Sequence, residues 1–346
     1  MTAAASSAAR RHTVTVALGD RSYPVEIGPG TRHLLPEVLA RIGAGRVAIV
    51  SSRPQSSIPD PGIPALRLPV VDGEAGKTLG SVEELCRHFA EFGLTRRDVV
   101  VSCGGGTTTD IVGLAAALYH RGVAVVHLPT SLLAQVDASV GGKTAVNLDL
   151  GKNLIGAYWQ PRAVLCDIDF LATLPERERI SGYGEIARCH FIGAGDLRGL
   201  PVTEQIAASV RRKAEIVALD ERDGGLRHLL NYGHTLGHAI ETATHGAVRH
   251  GEGVAIGTVF AGRLAHAYGR IDDSRSREHH DVVAEYGLPT ALPADVDIDD
   301  LVTIMRRDKK ASAGLTFVLD GPAGPELVTG VPEKVVLDAL HAMPRQ

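Results

Sequence analysis

The sequence contains few aromatic residues and no large excess of charge of either sign. Aromatic residues make up 4% of its 346 residues, with a single tryptophan. The formal net charge is −4, from 36 lysines and arginines against 40 aspartates and glutamates. Without a basic excess, binding along a nucleic acid is not expected. No apolar run approaches the roughly 20 residues of a transmembrane helix, so a membrane is not expected as a partner either.

Cysteine is scarce and scattered. Cys86, Cys103, Cys166 and Cys189 form neither a CxxC pair nor the spacing of a zinc finger. Such isolated thiols are typical of proteins in a reducing compartment. At the N-terminus, MTAAASSAARRH places its arginines after the small residues, and no apolar segment follows. We interpret it as a tail and not a secretion signal, and we expect a cytoplasmic protein.

The first half of the chain alternates extended runs with amphipathic segments. HTVTVA and YPVEI flank a Gly-Asp pair, which predicts an antiparallel hairpin. Apolar runs typical of buried strands follow at 46–52, 65–71, 98–103 and 123–129. An amphipathic segment over 81–93 predicts a helix capped by Ser81, and an Ala-rich segment after the third of these runs predicts another. This alternation favours a parallel α/β sheet.

Three consecutive glycines, Gly104, Gly105 and Gly106, join one of these strands to the Ala-rich helix. A glycine turn lets the backbone approach a phosphate, and the N–H groups of the following helix then point at it. The turn lacks the GxGxxG spacing, so a dinucleotide site and a simple tight turn are about equally compatible with it. Asp110, in the first turn of the helix, is also explained by capping alone.

Polar residues collect on the segments that follow. A strand that ends at Pro129 places two hydroxyl groups at its carboxyl end. The candidate pocket residues are Thr130, Ser131, Asp137, Lys143, Lys152 and Asn153. Solvation alone explains any single lysine. Several Lys, Asp and Asn side chains on glycine-rich loops near a sheet edge instead favour a polar pocket for an anion.

Beyond Pro175 the pattern becomes helical, with few strands. The predicted helices cover 176–195, 201–222, 226–245, 251–269, 275–287 and 298–309. Lys309 and Lys310 lie at a helix end or loop before one last apolar strand. The sequence therefore predicts two domains, an α/β domain over 1–175 and a helical domain over 176–346.

The main candidate for a metal site begins in LRHLLNYGHTLGHAIE, residues 226–241, for which we predict one helix. His234 and His238 are four residues apart and so share a face of that helix, and His250 follows a short connection. A lone histidine is more often a satisfied surface residue. Glu185, however, is flanked by small and apolar residues, where a carboxylate needs a partner. Glu185, His234 and His250 would form a His₂Glu set with an open position, as in catalytic zinc sites, and His238 would be a base close to the metal.

Several long motifs occur in order along nearly the whole chain. They are GGGTTTDIVGLAAALYHRG, LPTSLLAQVDASVGGKTAVN, GKNLIGAYWQP, DERDGGLRHLLNYGHTLGHAIE, HGEGVAIG and RDKK. Together they resemble 3-dehydroquinate synthase and its sugar-phosphate cyclase relatives. The resemblance implies a Rossmann-like NAD-binding α/β domain, an all-α domain that binds metal and substrate, and an active site between them. It also implies a homodimer and a divalent metal, zinc or cobalt.

The resemblance also implies a role for each motif residue. The metal ligands fall on Glu185, His234 and His250. The implied catalytic residues are Asp137, Lys143, Arg188, Asn231 and His238. The implied substrate ligands are Arg121, Lys152, Asn153, Lys213, Arg227, Lys309 and Lys310. NAD would be held by Ser52, Glu74, Lys77, Gly104, Gly105, Gly106, Asp110, Thr130 and Ser131.

Two positions depart from the common family pattern. Arg188 stands three residues after Glu185, where the primary-metabolic enzymes have lysine, and Ser52 stands where the family commonly has an acid for the adenosine ribose. Because a planar guanidinium does not replace a point charge, we expect Arg188 to help reshape the pocket around C4 of the substrate. Both departures resemble the aminodehydroquinate synthases of 3-amino-5-hydroxybenzoate (ansamycin-type) biosynthesis.

That resemblance implies a lyase of the aminoshikimate pathway in antibiotic biosynthesis. Its substrate would be a phosphorylated seven-carbon keto acid, 4-amino-4-deoxy-3-deoxy-arabino-heptulosonate 7-phosphate (aminoDAHP). The products would be 5-amino-5-deoxy-3-dehydroquinate and phosphate, formed by transient oxidation with NAD, phosphate elimination, re-reduction and an intramolecular aldol reaction. Phosphate would be bound by Lys152, Asn153, Asn231, an RDKK lysine and an Arg121 donated by the second subunit. Lys213 and Arg227 would bind the carboxylate, and Asp137 and His238 would handle the proton near the C5 oxygen.

Other readings remain open. The first is a shikimate-pathway 3-dehydroquinate synthase, whose substrate (DAHP) carries a hydroxyl in place of the amine. A cyclase acting on sedoheptulose 7-phosphate is disfavoured because Lys213 and Arg227 are retained, and a polyol dehydrogenase is disfavoured by the GKN and RDKK lysines. A reading of another class is a non-catalytic homologue with an assembly or regulatory role, which the intact candidate metal ligands disfavour.

Overall fold

A computed structural model describes residues 11–308 and 314–346. In this part of the chain, no helix combines the length and the apolar character needed to cross a membrane. The chain divides into two compact units. The first comprises the chain through Leu174 together with Pro201–Ala218, and the second comprises Pro175–Leu200 together with the chain from Leu219 onward.

The first unit is built on a mostly parallel β-sheet. Its strands are β1 His12–Val16, β2 Tyr23–Gly28, β3 Val47–Ser51, β4 Ala65–Pro69, β5 Val99–Gly104, β6 Ala124–Pro129, β7 Lys143–Leu148, β8 Gly151–Tyr158 and β9 Ala163–Asp167. Seven of them form one sheet in the order β1-β2-β9-β6-β5-β3-β4. Pairing is antiparallel between β1 and β2 and parallel elsewhere in this sheet. The predicted hairpin and the predicted α/β sheet are confirmed.

Helices cover both faces of this sheet. The α-helices of the described chain are α1 Leu35–Ile42, α2 Leu79–Glu91, α3 Gly106–Leu118, α4 Glu176–Cys189, α5 Val202–Leu219, α6 His234–Ala243, α7 His250–Ala267, α8 Asp273–Glu285, α9 Ile298–Asp308 and α10 Glu333–His341. Alternate residues of β3 point to opposite faces, so Ala48 and Val50 pack with α2 and α3 while Val47 and Ile49 pack with α1. Every position of β3, β5 and β9 is buried, as expected for parallel strands covered on both sides.

Two local features of the first unit differ from the sequence prediction. Thr78, and not Ser81, caps α2: the Thr78 hydroxyl accepts the Ser81 backbone N–H at 3.2 Å. The helix begins one turn earlier than predicted because Thr78 already satisfies this N-terminal donor. The antiparallel hairpin of β7 and β8 was not predicted, although it carries the pocket candidates Lys143, Lys152 and Asn153.

The second unit is helical, with one small sheet. It contains α4 and α6 to α10, and β10 Leu315–Leu319 pairs antiparallel with β11 Glu326–Val331. The last apolar strand of the sequence is therefore one half of a hairpin. The helix predicted over 226–245 is wrong as a single element, because a 3₁₀ turn over Leu226–Asn231 ends before Gly233. Gly233 adopts a left-handed φ of 76°, which an α-helix cannot continue through, and α6 starts at the next residue.

The helix α5 belongs with the first unit. The sequence places the segment from 201 onward in the helical domain, whereas Pro201–Ala218 groups with the α/β unit. Lys213 on α5 contributes to this grouping, since its Nζ lies 2.8 Å from Asp137 Oδ1. The first boundary, at Leu174 and Pro175, falls where the helical pattern of the sequence begins.

Candidate metal centre and active site

Three side chains of the second unit converge at one point. Glu185 lies on α4, while His234 and His250 are the first residues of α6 and α7. Glu185 Oε1 is 3.4 Å from His234 Nε2 and 3.2 Å from His250 Nε2. One ligand atom from each of the three lies within 4.8 Å of the other two. This is the geometry of a candidate metal centre, formed by the three residues that the sequence predicted as ligands.

Glycines next to the ligands allow the three helices to approach. A Cβ atom at Gly184 would lie 2.7 Å from the carbonyl carbon of Gly251, so only glycine fits where α4 meets α7. A Cβ atom at Gly257 would lie 2.9 Å from the carbonyl carbon of Gly233, at the contact between α7 and the start of α6. Because Gly184 precedes Glu185 and Gly251 follows His250, these backbone contacts determine how far apart the ligands lie.

Groups behind the ligands orient them. His234 Nδ1 is 3.1 Å from the carbonyl oxygen of Tyr232, and His250 Nδ1 is 3.4 Å from Glu241 Oε2. A carbonyl oxygen only accepts hydrogen bonds, so His234 Nδ1 carries a proton, and Nε2 is the nitrogen that faces Glu185 and would bind a metal ion. Such partners behind a ligand fix the orientation of the ring and raise its basicity.

The local charges favour a cation at this centre. Burial alone would raise the pKa of the Glu185 carboxyl, but Arg188 and the two histidines together hold that pKa well below its usual range. Burial would lower the pKa of His250, and the carboxylates of Glu185 and Glu241 instead raise that pKa to about 10. Two imidazoles and one carboxylate are a donor set suited to zinc and to cobalt. The residues present therefore fit a divalent metal ion.

Arg188 is completely enclosed next to this centre. Its side chain is 1% exposed, and its Nε lies 2.5 Å from Glu185 Oε2. Its Nη1 donates a hydrogen bond to the carbonyl oxygen of Leu230 at 2.8 Å. From the sequence, Arg188 is expected to help reshape the substrate pocket around C4. In the structure its contacts with Glu185 and Leu230 are with the metal ligand and the backbone before α6.

The other predicted residues of the second unit differ in exposure. The His238 side chain is exposed, and its ring centroid lies 5.2 Å from that of His234 and 5.7 Å from that of His250. Arg227 is buried, and its Nη1 donates to the carbonyl oxygen of Glu221. Asn231 ends the 3₁₀ turn and is half-buried. Lys309 and Lys310 lie outside the described residues.

The glycine turn of the first unit lies at the carboxyl ends of β3, β5 and β6. The Thr130 N–H donates to Gly104 O at 2.9 Å, and the Ser52 N–H donates to Cys103 O at 3.0 Å. A Cβ atom at Gly104 would lie 2.5 Å from Ser52 Oγ, which leaves no room for a larger residue. The Thr108 hydroxyl, not singled out from the sequence, donates to Ser52 Oγ at 3.1 Å. The predicted cofactor residues Ser52, Gly104 and Thr130 therefore lie together.

Gly105 and Gly106 lead directly into the helix from this turn. Gly105 is the N-cap residue of α3 and Gly106 is its first residue. Ser131, also predicted to bind the cofactor, accepts the backbone N–H of Ala134 at 3.3 Å. All three lie in the same unit as the other predicted cofactor residues.

An ion pair and a carboxamide join further predicted residues of this unit. Lys77 Nζ lies 2.5 Å from Asp110 Oδ2, and burial raises the pKa of Asp110 to about 6 in spite of this lysine. The Asn147 carboxamide donates to Glu74 Oε2 at 2.6 Å and accepts the Asn153 N–H at 2.9 Å. Asn147 thus links a predicted cofactor residue to a predicted phosphate ligand. Its only signal in the sequence is its place at the end of LPTSLLAQVDASVGGKTAVN.

The remaining predicted residues of the first unit include a close pair and exposed cations. Asp137 lies in a π-helical turn, a rare geometry that recurs at functional sites. Lys213 Nζ is 2.7 Å from the Asp137 carbonyl oxygen as well as 2.8 Å from its carboxylate, so the two residues act as a pair. Lys143 and Lys152 are exposed on the β7–β8 hairpin. Arg121 is exposed, with a left-handed φ of 62°.

The fold and the three candidate ligands define a protein of two units, one α/β with a glycine turn and the other helical with a candidate metal centre. The chain matches the family described as "3-dehydroquinate synthase N-terminal" over residues 67–181 and the family described as "3-dehydroquinate synthase C-terminal" over residues 182–311. The chain belongs to the 3-dehydroquinate synthase family. The resemblance seen in the sequence is confirmed.

Individual relatives cover nearly the whole chain. The "Putative aminodehydroquinate synthase" of Amycolatopsis mediterranei (strain S699) is 69% identical over 335 residues, which are 97% of this chain and 95% of that protein. The "3-dehydroquinate synthase" of Mycobacterium leprae (strain TN) is 42% identical over 342 residues, 92% of this chain and 94% of that protein. Among solved structures, 2-deoxy-scyllo-inosose synthase in complex with carbaglucose-6-phosphate, NAD+ and Co2+ superposes with a TM-score of 0.88 at 25% identity. That comparison covers 96% of this chain and 100% of the other.

Proposed function

We propose that this chain is an aminodehydroquinate synthase, which converts aminoDAHP to 5-amino-5-deoxy-3-dehydroquinate and phosphate. The observation that carries the proposal is the difference in identity, 69% to the aminodehydroquinate synthase relative against 42% to the 3-dehydroquinate synthase relative. The serine at position 52 and the arginine at position 188 support the same subgroup. The proposed reaction class is a carbon–oxygen lyase that closes a carbocycle.

We propose that the enzyme uses NAD and a divalent metal ion, zinc or cobalt. The solved relative contains NAD+ and Co2+, and the His₂Glu set of this chain fits such an ion. When bound, NAD would supply reversible hydride transfer and the metal would supply Lewis acidity. Glu185, His234 and His250 would hold the metal, and the turn at Gly104 would let the backbone approach the pyrophosphate of NAD.

The chain's own residues would bind the substrate and move its protons. Lys152 and Asn153 would bind phosphate, as would Asn231 and one of the RDKK lysines. Lys213 and Arg227 would bind the carboxylate through charge-assisted hydrogen bonds. Lys213 also holds Asp137, which supports a common site for carboxylate recognition and proton transfer. His238, exposed and close to both ligand histidines, would exchange a proton with the C5 hydroxyl.

The test is phosphate release from aminoDAHP and from DAHP, side by side, with NAD and either zinc or cobalt. We expect a clear preference for aminoDAHP in kcat/KM. Glu185→Gln should lose activity with both substrates, because an amide cannot replace the anionic ligand. Equal or better turnover of DAHP would contradict the proposal and favour a shikimate-pathway 3-dehydroquinate synthase, which the 42% identity also supports.

A protein that binds neither NAD nor metal, and releases phosphate from neither substrate, would instead be a non-catalytic homologue. Both cofactors are therefore measured before turnover, by equilibrium dialysis for the metal and by fluorescence titration for NAD. Finding metal in stoichiometric amount would argue against this alternative. The ligand set Glu185, His234 and His250 leads us to expect that result.

We also propose a homodimer in which Arg121 completes the phosphate site of the second subunit. Arg121 is exposed and held at a left-handed φ, a conformation that costs energy for a non-glycine residue. Arg121→Ala and Lys152→Ala would each be inactive alone. Mixing the two unfolded variants and refolding them together should restore part of the activity, because a mixed dimer has one intact site. No recovery, with dimers present by sedimentation, would place Arg121 and Lys152 in the same subunit's site.

A further inference from the structure

The two oxygens of the Glu185 carboxylate face different partners. Oε1 points to the Nε2 atoms of His234 and His250, at 3.4 and 3.2 Å. Oε2 lies 2.5 Å from Nε of Arg188. Both Glu185 and Arg188 are 1% exposed, so water does not compete for this contact. The guanidinium therefore occupies one carboxylate oxygen, and the other oxygen faces the two histidines.

The guanidinium also contacts a second element. Its Nη1 donates to the carbonyl oxygen of Leu230 at 2.8 Å, in the 3₁₀ turn before α6. Two residues further on, the carbonyl oxygen of Tyr232 accepts a hydrogen bond from His234 Nδ1. Arg188 thus spans from the carboxylate ligand on α4 to the backbone segment that orients the first histidine ligand. A planar guanidinium carries several nitrogen donors and so reaches both partners at once. A lysine has a single ammonium group, which cannot reach both partners with the same geometry.

We propose that Arg188 is a positioning residue of the metal centre: it restricts Glu185 to one metal-bound oxygen and fixes the spacing between Glu185 and His234. This inference rests on the proposed metal binding and replaces the expectation that Arg188 helps reshape the pocket around C4 of the substrate. Binding through one oxygen would leave the metal able to accept a substrate oxygen, as catalytic sites require. Partners of this kind typically change metal affinity by about 10–100-fold when they are removed.

The experiment is a cobalt titration of the metal-free, full-length protein without substrate. Wild type, Arg188→Met and Arg188→Lys are compared by visible absorption and by competition with a chelator. In Arg188→Met, the affinity should fall by about 10–100-fold. The cobalt absorption should also weaken in this variant, since the freed Oε2 raises the coordination number. In Arg188→Lys, the charge near Oε2 is kept and the contact with Leu230 is lost, so the affinity should fall less and the spectrum should still shift.

Arg198→Met is the matched control. Arg198 belongs to the same unit and pairs with Asp196 at 2.7 Å and with Glu285 at 3.2 Å, so its removal breaks ion pairs that do not involve the ligands. We expect its cobalt affinity and spectrum to equal those of wild type. If Arg188→Met does not fold, Arg188→Lys decides the question by the same two measurements.

Unchanged affinity and spectrum in the folded Arg188 variants would overturn the inference while leaving the proposed function intact. An altered preference between aminoDAHP and DAHP, with unchanged cobalt binding, would also overturn it and would restore a role in the substrate pocket. A wild-type protein that binds no cobalt and no zinc would overturn both the inference and the metal dependence of the proposed function.

Discussion

Replacing Gly184 by alanine should weaken metal binding at the candidate centre without changing any of the three candidate ligands. A Cβ atom at this position would lie 2.7 Å from the carbonyl carbon and 2.9 Å from the Cα atom of Gly251, and closer still to the Gly251 oxygen. Ordinary van der Waals contact for such atoms begins at 3.4 Å. The helices α4 and α7 must therefore separate locally by at least about 0.7 Å. Metal–ligand distances tolerate only about 0.2 Å, so Glu185 and His250 can no longer bind one ion together.

The energetic balance of this substitution is also unfavourable. Alanine in a helix gains up to about 1 kcal/mol over glycine, whereas overpacking a tight contact costs about 1–3 kcal/mol. We expect the metal-free protein to lose about 1 kcal/mol of stability and the metal affinity to fall by at least tenfold. Gly80→Ala is the control, because Gly80 is also helical and the Cβ atom of an alanine there would have Thr78 Oγ1, at 3.7 Å, as its nearest neighbour.

The assay combines thermal unfolding of the metal-free protein with zinc competition at equilibrium. Gly80→Ala should bind zinc as the wild type does and be as stable or slightly more so. Wild-type zinc affinity in Gly184→Ala would refute the reasoning, since it would mean that the contact between α4 and α7 does not set the distance between Glu185 and His250. Loss of affinity together with complete unfolding would be resolved by repeating both measurements on Gly184→Ala at a lower temperature, where the variant is folded.

Three further predictions concern the first unit. Burial lowers the pKa of His127 to about 4 from about 6.5 in an unfolded chain, so its stabilising contribution is complete above pH 6.5 and is lost as the pH falls towards 4. In His127→Gln, the free energy of unfolding measured with denaturant should depend less steeply on pH in this range, by the equivalent of about one bound proton. An unchanged slope would contradict the assignment. Lys77→Met leaves the Asp110 carboxylate without its ion-pair partner and should lower the free energy of unfolding by about 2 kcal/mol. The double variant Lys77→Met, Asp110→Asn should recover part of that free energy. Ser52→Asp should tighten NAD binding several-fold in a fluorescence titration, because a carboxylate accepts hydrogen bonds from the ribose hydroxyls. An unchanged Kd would mean that residue 52 does not contact the ribose.

The elements that could be predicted from the sequence are those with a local signal. The buried strands of the first unit are continuous apolar runs, and β3, β5 and β6 fall within one or two residues of their predicted ends. The hairpin of β7 and β8 was missed because β8 is exposed along most of its length, and only Ile155 and Ala157 of this strand pack against the core. The break before α6 was missed because the apolar spacing continues across Gly233, whose left-handed φ is set by its close approach to α7.

The geometry of the candidate metal site was even less predictable from local sequence patterns. Glu185, His234 and His250 were identified from residue type and surroundings, but their meeting depends on glycine contacts between helices that no local pattern expresses. The rings of His234 and His238 lie 5.2 Å apart on one helix, as their spacing indicated, and His250 approaches His234 from the first position of another helix. Both ligand histidines therefore stand at helix N-termini, whose partial positive charge favours an anion such as the Glu185 carboxylate beside them. With Arg188 on its other oxygen, this carboxylate stays ionised inside the protein, which is the state that a metal ligand requires.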